Sequence, residues 1–202
     1  MKLLRACTAA VASAALLAGV GAALTTPAHA AAVSRFDDGS FEYPTAPANA
    51  FTTYSAGQPL GPWQVTGGTV DLIGKGYWGA AEGDQSVDLN GTSAGTVSQT
   101  FTTVPGTTYT VSYALAGNIS PAHLSILKTG RALVDGQNFQ DFSFDTTGKS
   151  ATNMGYVNRQ FTFVATGTTS TLAFASTMSG AWGPVIDDVR VRANCCSCST
   201  SC

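Results

Sequence analysis

Short runs in which apolar and polar residues alternate recur along the chain, and each predicts a strand with one hydrophobic face. Tyr109, Val111, Tyr113 and Leu115 alternate with Thr108, Thr110, Ser112 and Ala114. Phe142 and Phe144 flank Ser143, Phe161 and Phe163 flank Thr162, and Leu172 and Phe174 flank Ala173. Val87 and Leu89 alternate with Ser86, Asp88 and Asn90. A period of two places successive side chains on opposite faces, as in a strand. Turn formers separate the runs: Pro105-Gly106, Gly117-Asn118, Thr147-Gly148, Gly167 and Ser179-Gly180. The pattern predicts an all-β fold, an antiparallel β-sandwich or jelly roll. Residues 44–62 read as a loop lying over it.

One run carries a fault. In "GPVIDDVRVR", residues 183–192, strict alternation puts Val185, Asp187, Val189 and Val191 on one face. Ile186, Asp188, Arg190 and Arg192 take the other. Asp187 then points where the valines point, into the core. A bare carboxylate is costly there unless something satisfies it. A cation, a set of backbone amides, or an arginine such as Arg159 or Arg35 would do so.

Composition changes the picture at the two ends. Lys2 and Arg5 precede an uncharged apolar run from Ala9 to Leu24, followed by Pro27-Ala28-His29-Ala30. This is the pattern of a secretory signal peptide cut near Ala30. Cleavage leaves 172 residues of the 202, enough for one domain with a real core. Lys2 and Arg5 leave with the signal, so 8 basic residues face 12 acidic ones, a balance of −4. That balance does not suit a nucleic-acid partner, and no second long apolar stretch predicts a membrane span. Residues 31–193 form the predicted domain and hold no cysteine. Cys195, Cys196, Cys198 and Cys202 crowd into a tail at 194–202, fit for disulfides within itself or to a partner chain, or for a soft metal.

Several stretches together resemble a known family. They are "DGSFEYP" (38–44), "GPWQVTGGTVDLIGKGYWGAAEGDQSVDLNG" (61–91), "GTVSQTFTTVPGTTYTVSYALAGN" (95–118), "MGYVNRQFTFVATGTTSTLAF" (154–174) and "GPVIDDVRV". They are similar to the choice-of-anchor C proteins of bacteria and to the plant cell-wall proteins of domain-of-unknown-function family 642. The resemblance runs from about Phe36 to Val191. It implies a galactose-binding-domain-like sandwich, an extracellular or cell-wall location, and no catalytic activity. It also implies a structural calcium between the first and last strands, held by the carboxylates of Glu42 and Asp187 and by carbonyls near Ser40. Plant members carry two such domains, and this chain carries one.

Candidate chemistry favours binding over catalysis. No Gly-x-Ser-x-Gly elbow is present, and past the signal the one histidine is His123. Glu42 and Asp187 as a glycosidase pair read less well than as metal ligands. Tyr77, Trp78 and Trp182 sit among glycines, beside Asp71, Asp84, Gln85, Asp88 and Asn90. Aromatic faces with a few placed polar groups suit a sugar ring. The expected ligand-binding set is Trp78, Tyr77, Trp182, Asp84 and Asn90, with Trp63 in the core. The sequence thus reads as a secreted, non-catalytic module binding polysaccharide or cell-surface glycan. The alternative is an extracellular adhesive protein acting through protein contacts and its cysteine tail.

Overall fold

The alternating runs form strands, as their β-branched and aromatic content favours. The computed structural model describes residues 35–119 and 126–194. In chain order the strands are β1 (Phe51–Ser55), β2 (Pro59–Leu60), β3 (Trp63–Gly67), β4 (Thr69–Ile73), β5 (Ser86–Asp88) and β6 (Thr96–Thr102). There follow β7 (Thr108–Gly117), β8 (Leu127–Val134), β9 (Gln137–Asp145), β10 (Val157–Val164), β11 (Thr169–Ser176) and β12 (Pro184–Ala193). No helix occurs among the described residues, and so none is long and apolar enough to cross a membrane.

Two six-stranded sheets result, β1-β4-β5-β12-β7-β10 and β2-β3-β6-β11-β8-β9. Every strand pair is antiparallel. This is the all-β sandwich that the periodicity predicts. Residues 44–62 are more than a loop. They hold β1 and β2, because Phe-Thr-Thr-Tyr-Ser is a strand sequence whose Tyr54 packs against the core. β1 forms an edge of the first sheet by pairing with β4.

Cross-strand partners share a face. Leu72, Val87, Ile186 and Leu115 form one inward row across four strands of the first sheet. From the second sheet, Phe174 reaches Tyr113 at 4.9 Å and Trp63 at 6.3 Å between ring centroids. Each fully buried side chain of this size contributes about 1.5–3 kcal/mol.

The alternation in β12 breaks at a bulge. Asp187 pairs with Ala114, but three residues later Arg190 pairs with Ser112, only two residues back along β7. Asp188 takes a left-handed φ of 46° there. The bulge moves the two halves of the strand out of phase. Ile186 and Val191 face inward with Leu115 and Val111, whereas Val185 and Asp187 stand with Ala116 and Ala114 on the opposite face. The expectation that Asp187 shares a core face with Val189 and Val191 is therefore wrong. Asp187 points out of the sandwich, yet it has no exposure, because residues 81 and 82 lie over it.

The "DGSFE" stretch is a turn and not a first strand. Asp38 and Phe41 have positive φ. Phe41 is fully buried and lies 4.9 Å from the Trp63 ring. The turn nevertheless meets the last strand: the Val189 N–H donates to the Gly39 carbonyl at 2.8 Å. A Cβ on Gly39 would collide with the Val189 carbonyl, whereas one on Gly136, in the β8–β9 hairpin, would meet open space. Gly39→Ala is expected to lower the melting temperature well beyond Gly136→Ala. The latter carries only the penalty of a left-handed residue, about 1–2 kcal/mol. Thermal denaturation of both variants checks this.

Candidate functional site

Asp187 is satisfied by backbone amides. Its Oδ2 accepts the N–H groups of Ala81 (2.7 Å) and Glu82 (3.0 Å), and its Oδ1 accepts that of Asp188 (2.6 Å). Glu42 grips the same loop from another side, its Oε1 accepting from Asp84 N (2.8 Å) and Gln85 N (2.9 Å). Gln85 returns the contact: its amide donates to the Phe41 and Pro44 carbonyls and accepts from Ala46 N. Two carboxylates and one amide thus pin residues 79–85 over the outer face of the first sheet and against the N-terminal turn.

This arrangement does not fit calcium. The ion needs about six to eight oxygen ligands, and here both oxygens of Asp187 and Oε1 of Glu42 already accept N–H hydrogens, which repel a cation. Among the described residues no three His, Cys, Asp or Glu side chains converge on a point.

Beside the covered strip the outer face opens into a cleft of about 220 Å³. Phe51 (45% exposed), Tyr77 (40%) and Trp182 (40%) form its apolar walls. Tyr77 meets Phe51 edge-on, with centroids 5.6 Å apart. Trp182 is held in the loop before β12 with φ 65°, a conformation rarely kept without surrounding support. Thr53, Asp71, Asn90, Thr92 and Asn118 supply polar groups. Thr53 donates its hydroxyl to Asp71 Oδ1 at 2.6 Å, and the second oxygen of Asp71 has no described partner. Asn90 is fully buried. Its Nδ2 donates to the Met178 and Gly180 carbonyls, while its Oδ1 has no hydrogen-bond partner. An unmet acceptor of that kind costs about 1–3 kcal/mol.

Of the expected ligand set, Tyr77, Trp182 and Asn90 come together here. Trp78 and Asp84 do not. The Trp78 indole is 6% exposed and donates from Nε1 to the Ser86 hydroxyl at 2.9 Å, so it is a prop beneath the loop and presents no face for stacking. Asp84 turns away to pair with Lys75 at 2.9 Å on the surface. Phe51, Asn118 and Thr53 were not expected; the alternation of "FTTYS" marks the strand that places Phe51 and Thr53 together. His123 and the four tail cysteines lie outside the described residues.

Asp88 backs the cleft without reaching it. It has no exposure, and both oxygens are taken: Oδ1 by Asn90 N and Gly183 N, Oδ2 by Asn118 Nδ2 at 2.7 Å. Burial pushes the carboxyls of Asp88 and Asp187 up to about 7, against the opposing pull of their N–H donors. An unfolded aspartate titrates near 4. Between about pH 4 and 7 the unfolded chain loses these protons while the folded chain keeps them, so stability falls as pH rises through that window. The melting temperature is expected to be higher at pH 5 than at pH 8, and Asp187→Asn, neutral throughout, to flatten the slope. Trp78→Ala is expected to cost about 3–5 kcal/mol of stability, read by denaturant titration.

Halomucin of Haloquadratum walsbyi is 28% identical over 130 residues, which is 64% of this chain and 1% of halomucin's own length. A family 35 carbohydrate binding module from Clostridium thermocellum superposes with a TM-score of 0.47 and 14% identity, covering 72% of this chain and 99% of the module. The CBM22-1 xylan-binding domain of Xyn10C from Paenibacillus barcinonensis gives 0.48 and 18%, covering 74% and 97%. The model of a family described as a protein of unknown function, DUF642, matches residues 34–192, and the chain belongs to that family.

Proposed function

We propose that the chain is a secreted, non-catalytic carbohydrate-binding module whose sugar site is the cleft between Phe51, Tyr77 and Trp182. The observation that carries this reading is the cleft itself, walled by three partly exposed rings and lined by Asp71, one of whose oxygens has no described partner. A sugar supplies both complements at once, a hydroxyl donor for Asp71 and an apolar C–H face for the rings. Hydrolysis is disfavoured by the carboxylates. Glycosidases place two in reach of one bond, and here Asp71 lines the cleft while Asp88 is sealed behind it. Export rests on the leader pattern in residues 1–30.

Depletion of the full chain by neutral insoluble glycans (cellulose, chitin, mannan and xylan) tests the proposal. Retention on at least one is expected. Trp182→Ala is expected to weaken it about tenfold, the effect of about 1.4 kcal/mol, with little change in melting temperature. Asp84→Ala is expected to leave it intact. Retention on none, or retention indifferent to Trp182→Ala, overturns the reading. Because Asp187 and Glu42 face amides, EDTA is expected to change neither retention nor melting temperature. A fall in melting temperature with EDTA would instead show a cation at the place that the family resemblance implies.

A further inference from the structure

Two aspartates meet across strands on the outer face of the first sheet. β4 and β5 pair Asp71 directly with Asp88, and Thr53 on β1 and Val185 on β12 extend the same row. Like charges directly opposite each other destabilise a strand pair. The fold relieves the conflict on one side. Asp88 is sealed behind the cleft with both oxygens taken by N–H donors. Burial, helped by the charge of Asp71, pushes its carboxyl up to about 7. Below that pH Asp88 keeps its proton, and the charge falls to Asp71.

Asp71 is not settled in the same way. It is 9% exposed and lines the cleft. Its Oδ1 takes the Thr53 hydroxyl at 2.6 Å, and its other oxygen has no described partner. Burial raises its pKa too, against the pull of that hydroxyl. A carboxylate withdrawn from water needs a counter-charge, yet no lysine, arginine or histidine lines the cleft. Lys75, two residues before Tyr77, is taken by Asp84. Lys128 feels the charge of Asp88 from β8 of the other sheet but does not line the cleft. The side-chain amides of the lining are directed elsewhere, Asn118 to Asp88 and Asn90 to the Met178 and Gly180 carbonyls.

The walls complete the picture. Phe51, Tyr77 and Trp182 are partly exposed around the same space, and aromatic faces attract ammonium groups through the ring quadrupole. An ammonium group set between these rings and Asp71 donates a charge-assisted hydrogen bond to the free oxygen and neutralises it. A sugar hydroxyl donates the hydrogen bond without the opposite charge. We propose that the cleft is selective for an amino sugar, a saccharide whose free ammonium group lies beside Asp71. This inference rests on the sugar site proposed above and names the class of sugar that the site takes best.

Titration calorimetry of the full chain with the β-linked tetramers of glucosamine, N-acetylglucosamine and glucose tests it, since the three differ in a single substituent: amine, acetamide or hydroxyl. At about pH 6, where amines are protonated, the glucosamine tetramer is expected to bind about tenfold more tightly than the other two. Asp71→Asn keeps an acceptor for Thr53 and is expected to abolish the preference. The two uncharged tetramers pose the same question to the wild type, should the variant be unstable. Equal affinity for the glucosamine and glucose tetramers overturns this inference and leaves the sugar cleft standing. So does a preference that survives Asp71→Asn, which would place the attraction elsewhere on the chain. Binding of none of the three, or binding indifferent to Trp182→Ala, overturns the sugar reading itself and this inference with it.

Discussion

The bulge at Asp188 is the constraint on which the outer face depends. Without it, β12 would carry Asp187, Val189 and Val191 on one side, and either the core would receive a carboxylate or the surface two valines. By inserting one residue, the strand keeps Ile186, Val189 and Val191 with the core and frees Asp187 to turn outward. There it becomes an anchor for backbone N–H groups. Three amides satisfy the carboxylate, and two of them belong to a loop more than one hundred residues away in sequence. The loop in turn shields the carboxylate from water, and that burial pushes its pKa up to about 7 against the pull of the three amides.

That covered strip divides the sheet face. On one side the loop carries Tyr77 to the rim of a cleft whose polar floor is neutral or acidic. On the other, the same bulge brings arginines to the surface in register with Ser112 and Gln160. Trp78 and Gln85 are structural parts of the divider: the indole braces Ser86, and the amide ties the loop to the N-terminal turn. Side chains that look alike in sequence, Tyr77 and Trp78, therefore have different work. The two rings touch edge to face, 5.3 Å apart between centroids, and one ends at the rim while the other lies beneath the loop.

The N-terminal turn shows how the ends of the domain are joined without a disulfide in residues 35–194. Glu42, Gly39 and Phe41 meet the 81–85 loop, the last strand and Trp63 respectively. Hydrogen bonds to charged groups and a buried ring supply what a covalent staple supplies in smaller exported domains. The place where the family resemblance implies a cation is a place where amide dipoles meet carboxylates.

Sequence alone determined the strands and the sandwich, because alternation of apolar and polar residues is a local property and burial of one face per strand has few solutions. It also marked Tyr77, Trp182 and Asn90 as residues of interest and Asp187 as an anomaly. It misread 44–62, where the strand β1 is short and its outward residue is the aromatic Phe51. It placed Trp78 and Asp84 in the ligand set, since nothing local distinguishes a ring that faces solvent from one beneath a loop. Only the tertiary structure decided which face Asp187 takes, because a one-residue bulge inverts every later side chain and leaves no periodic trace. The same holds for the cleft, whose walls come from β1, the loop after β4 and the loop before β12. Their proximity follows from sheet order, and sheet order is set by contacts between residues far apart in the chain.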